Sequence, residues 1–108
     1  MARDRTALLF ASDVSARVTR FRLAELWGLR FELRDSEYRG GEYFRATGPT
    51  SLAGRPSDVR VQSNDLDAPE EPEVPEPTLV YFDGTARPDE VVALATAAGL
   101  RLVTRNNW

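Results

Sequence analysis

The clearest pattern along the chain is alternation. In Leu29-Arg-Phe-Glu-Leu-Arg34 the apolar Leu29, Phe31 and Leu33 alternate with Arg30, Glu32 and Arg34. This predicts a strand with one face in a core and the other in water, continuing toward Tyr38. Asp58-Val-Arg-Val-Gln62 repeats the pattern, with Val59 and Val61 inward. Thr6-Ala-Leu-Leu-Phe-Ala11 is a short apolar run and predicts a buried strand. Thr78-Leu-Val-Tyr-Phe82, bounded by Asp83-Gly84, predicts another, and Leu100-Arg-Leu-Val103 a last one. Gly40-Gly41 is a hairpin signal, with a further strand from about Glu42 to Thr47.

Two stretches carry a helical period instead. Val14, Val18 and Phe21 recur at i, i+4 and i+7, and Ala24 and Trp27 continue that face. Arg17, Arg20 and Glu25 then point away. Ser12 or Asp13 is the expected cap, and Gly28 ends the helix, because glycine takes a positive φ without penalty. The second helix opens at Pro88, with Asp89 and Glu90 set well against its dipole. Its expected buried stripe is Val91, Leu94 or Ala95, and Ala98, with Gly99 as the cap.

Gly48-Pro49 and Gly54-Arg55-Pro56 bracket one loop. Residues 63 to 78, "SNDLDAPEEPEVPEPT", hold six acids, four prolines and no base. Proline removes ladder donors and the acids repel each other, so this stretch is neither helix nor central strand. The predicted order is therefore β-α-β-β-β-β-α-β in a single domain spanning 1–108, with 64–77 as an acidic proline-rich loop within it. That order fits a two-layer α+β sandwich, a mostly antiparallel sheet of five or six strands with two helices on one face. It resembles a ferredoxin-like fold with additional strand, and such a fold leaves the second sheet face to a partner.

Composition narrows the chemistry. The chain has 108 residues, enough for one domain. Its 42% hydrophobic content permits a real core, and no apolar run approaches the ~20 residues of a membrane span. The start, Met1-Ala-Arg-Asp-Arg5, leads into too short an apolar run for a secretory signal, so a cytoplasmic location and no membrane partner are expected. There is no Cys, no His and no Lys. Thiolate sites, the usual general base and zinc ligand, Schiff-base lysines and a P-loop lysine are all excluded. No metal and no cofactor are expected. Eleven Arg face eight acids through residue 60, and three Arg face nine acids after it. The net charge of −3 argues against a general affinity for nucleic acid or anionic membrane.

Four groups of residues carry candidate chemistry. In "DSEYRGGEYFRATGP", residues 35 to 49, the hairpin puts Tyr38, Arg39, Glu42, Tyr43 and Arg45 near one another. Tyr and Arg are enriched in binding hot spots. The plainer account is cross-strand pairing of Tyr38 with Tyr43 and a surface ion pair of Arg39 with Glu42. Asp65, Asp67, Glu70, Glu71, Glu73 and Glu76 lie on a proline-stiffened tether that suits a basic partner, or is simply a solvated loop. They lack the residue order of a calcium loop. Asp13, Asp35, Asp58 and Asp83 sit at predicted element ends, where acid–base residues often lie, yet Asp13 serves as a cap and Asp83-Gly84 as a turn. Tyr81 or Phe82 with Tyr43 or Phe44 would offer stacking surfaces to RNA, but the aromatic consensus of RNA-binding sheets is absent.

With no recognisable catalytic set, the chain reads as a binding protein rather than an enzyme. The "DLDAPEEPEVPEP" run and the "EYRGGEYFR" hairpin, on a small acidic α+β domain, resemble the immunity proteins of bacterial polymorphic and contact-dependent toxin systems. That resemblance implies an inhibitor, monomeric or weakly dimeric, that occludes the active site of a cognate toxin, commonly a nuclease with a basic cleft. The alternative expectation is a small-ligand sensory or regulatory domain working as a homodimer.

Overall fold

A computed structural model describes residues 6–36, 41–47, 58–64, 73–85 and 88–107. The elements are β1 (Thr6–Ser12), α1 (Ala16–Trp27), β2 (Glu32–Ser36), β3 (Gly41–Thr47), β4 (Asp58–Ser63), β5 (Thr78–Thr85), α2 (Pro88–Ala97) and β6 (Arg101–Asn107). The strands form one six-stranded sheet in the order β2-β3-β4-β5-β1-β6, and every neighbouring pair is antiparallel. The expected α+β class and element order are met. The loop expected between Gly48-Pro49 and Gly54-Pro56 lies outside the described residues.

Strand alternation divides the sheet into two faces. Leu8 and Phe10 of β1, Ala46 of β3, Val59 and Val61 of β4, and Val80 and Phe82 of β5 turn to one side. Leu23 of α1 and Val91 and Ala95 of α2 meet them there, so both helices cover the same face. At the centre Phe82 lies 5.3 Å from Phe10 and 5.6 Å from Trp27, edge-on to the indole. Tilted and edge-to-face rings of this kind add to the area they bury.

The α1 face differs from the expected one. Its buried residues are Thr19 and Leu23, with Ala16 and Trp27 packed against the core, while Phe21 is 59% exposed and Val18 is also exposed. Ser15, not Ser12 or Asp13, is the cap; its side chain accepts a hydrogen bond from the Val18 N–H at 3.2 Å. Ser12 is instead buried and bonds to Thr19 Oγ1 at 2.8 Å. Thr78 Oγ1 donates to the Val14 carbonyl at 2.6 Å, tying β5 to the turn before the helix. A polar Thr19 inside the stripe hid the true phase from a hydrophobicity count. Arg20, expected to point outward, lies over the Phe44 ring at 4.8 Å.

Gly28 ends α1 as expected, at φ 66°, with its N–H bonded to the Ala24 carbonyl. Gly99 closes α2 at φ 95°, where a side chain would be strained. In α2 the stripe is Val91 and Ala95, and Leu94 is exposed.

The strand expected from Leu29 begins only at Glu32. Leu29 is buried in the core and Phe31 is half-buried, but Leu33 is 57% exposed. The reason is topological. α1 lies over β3, β4 and β5, whereas β2 is the outermost strand and extends past the helix layer. Among the described residues no helix is long and apolar enough to cross a membrane.

Replacing Phe82 by Ala is expected to cost about 3–5 kcal/mol, because the cavity would open between Phe10 and Trp27. Leu33→Ala is expected to change stability by less than about 0.5 kcal/mol. Urea unfolding of the two variants checks the pair, and equal losses would contradict this division of the sheet.

Candidate functional site

The face turned away from the helices carries the polar chemistry. Arg45 of β3 and Asp58 of β4 meet in a two-pronged pair, Nε to Oδ1 at 3.2 Å and Nη2 to Oδ2 at 3.1 Å. The hydrogen bonds to Asp58, and secondarily its charge, push the Arg45 guanidinium above its ordinary value. Arg60 stacks its guanidinium 4.0 Å over the Tyr81 ring and donates from Nε to Gln62 Oε1 at 2.7 Å. Gln62 is buried, and its amide nitrogen has no hydrogen-bond partner among the described residues. Register explains the grouping, since Arg45, Arg60 and Tyr81 are successive cross-strand neighbours, as are Tyr43, Gln62 and Leu79.

This face is not bare. Leu9, Ala11 and Leu79 form a second apolar cluster with Val74, and Tyr81 and Val103 pack against it. Val74 comes from the acidic proline-rich segment, whose end is clamped onto the sheet. The Asn64 side chain donates to the carbonyls of Val74 at 2.9 Å and Glu76 at 3.3 Å, and the Asn64 N–H donates to the Pro77 carbonyl at 2.7 Å. Those bonds close the neck of the loop. Arg101 of β6 then grips Glu76 with two hydrogen bonds at 2.6 and 2.8 Å.

Of the sequence candidates, Tyr43 and Arg45 fall on this face, while Phe44 and Phe82 turn toward the helices. Glu76 is held by Arg101 and only 10% exposed, so its carboxylate is engaged within the chain; Glu73 is exposed. Glu42 is in β3. Tyr38, Arg39, Asp65, Asp67, Glu70 and Glu71 lie outside the described residues. The strand ends that flank them, however, share one end of the sheet. Ser36 pairs with Gly41, Tyr43 with Gln62, and Ser63 with Thr78, so the β2–β3 connection and the β4–β5 loop leave side by side.

Asp58 and Asp83 stand opposite each other across β4 and β5, but Arg45 occupies the first. Asp83 instead borders an open pocket of about 220 Å³ at the far end of the face, with Ala7, Leu9, Tyr81, Thr104 and Asn106. Arg60, Gln62 and Asn106 were not singled out in the sequence. The alternation in Asp58–Gln62 was the only signal for the first two, and it gives a face, not a partner. The molecule is thus an α+β domain with one apolar, helix-covered sheet face and a second face that sets arginine, tyrosine and carboxylate beside a smaller apolar cluster. Compared with known proteins, the chain matches no family model, no curated protein and no solved structure.

The Arg101 hydrogen bonds hold the Glu76 carboxyl below its ordinary value. A lowered carboxylate contributes stability that is complete above the unfolded value of about 4.3 and is lost as the pH falls through the folded one. Glu76→Gln removes that contribution. The stability gap between native chain and variant is therefore expected to be widest near neutral pH and to close under acid. A gap that stays flat in chemical denaturation from about pH 7 to about pH 3 would refute the clamp.

Proposed function

We propose that the protein works by binding, as a non-catalytic inhibitor of the immunity-protein kind that occludes a basic cleft of a partner protein. The observation carrying this reading is the common end of the sheet from which the Tyr- and Arg-bearing β2–β3 connection and the acidic β4–β5 loop both leave. Two segments of opposite chemical character then border one surface, which suits a protein partner with a positive centre and an aromatic-accepting rim. The closed neck at Asn64 and Pro77 supports it too, since a loop with joined ends presents its carboxylates with less ordering cost than a free tether. Glu76 belongs to the clamp, so the carboxylates assigned to the partner are Asp65, Asp67, Glu70, Glu71 and Glu73, beside Tyr38, Arg39, Glu42, Tyr43 and Arg45. On this reading the protein acts in the cytoplasm, without cofactor or metal.

The order β4-β5-β1-β6, with the two helices on one face, supports a ferredoxin-like variant in which the β2–β3 hairpin extends one edge. A second reading, the small-ligand regulatory domain, draws on the pocket beside Tyr81, Asp83, Thr104 and Asn106. It predicts a ligand-dependent rise in melting temperature, which the inhibitor reading does not.

The test begins with capture of the partner from the native cell and its identification by mass spectrometry. Changing Asp65, Asp67, Glu70, Glu71 and Glu73 together to Asn or Gln is expected to slow association at low salt by at least about tenfold, with the difference closing at high salt. An unchanged rate at all salt concentrations would remove the electrostatic reading. Turnover of a small molecule by the purified protein, abolished by one Asp or Glu substitution, would remove the non-catalytic one.

A further inference from the structure

We infer that the β2 edge is a self-association surface, on which two copies join their sheets by antiparallel pairing of Glu32–Arg34 about a two-fold axis at Leu33. This stands apart from the inhibitor reading and rests on different residues. Among the described residues β2 is the outer strand and pairs with β3 alone, so its outward N–H and C=O groups form an open ladder there. Its pairing with β3 is regular through all five residues. The opposite edge, β6, carries a register irregularity in its pairing with β1, which makes it a poorer template for a second copy.

The charges on β2 choose both the occupant and the register. Glu32 and Arg34 point to the polar face, 69% and 52% exposed, and pair with each other at 2.8 Å. Leu33 lies between them on the helix side, 57% exposed, beyond the cover of α1. A two-fold axis that keeps like faces together must centre on a residue of the strand. Centred on Glu32 it sets Glu32 against its own copy, and centred on Arg34 it sets Arg34 against its own copy. Centred on Leu33 it places each Glu32 opposite the other copy's Arg34 and brings the two Leu33 side chains together. Only this register is complementary, and it is complementary twice, as an isologous contact requires. Pairing over the three residues Glu32–Arg34 of each copy buries far less than a standard interface, so the dimer is weak and salt-sensitive.

Sedimentation of the purified chain at low salt, up to about 1 mM, is expected to reveal a monomer–dimer equilibrium. E32R and R34E each turn both cross-strand pairs into like charges and are each expected to weaken the dimer at least about tenfold. Mixed together, the two variants carry opposite charges on their edges and are expected to associate with each other. Because the chain has no cysteine, Leu33→Cys supplies a single thiol at the two-fold axis, and mild oxidation is expected to link it between copies faster than Thr104→Cys on the β6 edge. A chain monomeric at every concentration would overturn the proposal. So would a dimer indifferent to E32R and R34E, failure of the two variants to pair, or a Leu33→Cys link no faster than the Thr104→Cys one.

Discussion

An extended chain sends successive side chains to opposite sides, and the sheet's two faces follow from that constraint. β5 shows it most directly. Val80 and Phe82 enter the core beneath the helices, while Leu79 and Tyr81 lie on the polar face. Phe82 meets Phe10 and Trp27, and so seats α1 on the sheet. One residue earlier, Tyr81 lies under the Arg60 guanidinium. A slip of one residue in β5 would exchange these roles, burying Tyr81 and Asp83 and exposing Phe82. The core and the candidate binding face are therefore specified by the same register.

Apolar contact alone does not say where a helix or loop must sit, and a few buried polar groups do. Ser12, Thr19, Thr78 and the Val14 carbonyl form one set, which fixes the entry to α1 and its rotation about its own axis. Asn64 provides another. Its backbone and side chain satisfy three carbonyls of the returning acidic segment, and Val74 is thereby laid onto Leu9, Ala11 and Leu79. Buried polar groups are costly when unpaired, so arrangements that satisfy all of them are few.

Two arginines of the polar face are neutralised within the chain, and a third is held by neutral groups. Asp58 answers Arg45, Glu76 answers Arg101, and Arg60 is occupied by Gln62 and Tyr81. Exposed pairs of this kind add little stability, and their value is in holding side chains in place.

Much of the fold was legible in the residues. The element order, the inward Val59 and Val61 and the glycine ends of both helices follow from local rules of period and capping. Those rules act over a few residues, so a single sequence displays them. The phase of α1 was not legible, because Thr19 is buried through a hydrogen bond to Ser12 and no hydrophobicity scale records that. Nor was the exposure of Leu33, which alternates as a core residue should but lies on a strand that α1 leaves uncovered. The candidate site was half legible. Tyr43, Arg45 and the acids stood out by type, but the pairing of Arg45 with Asp58, the capture of Glu76 by Arg101 and the stacking of Arg60 on Tyr81 depend on which strands lie side by side. Local sequence determined what each segment is; strand order decided what it meets, because that order is set by contacts between residues far apart in the chain.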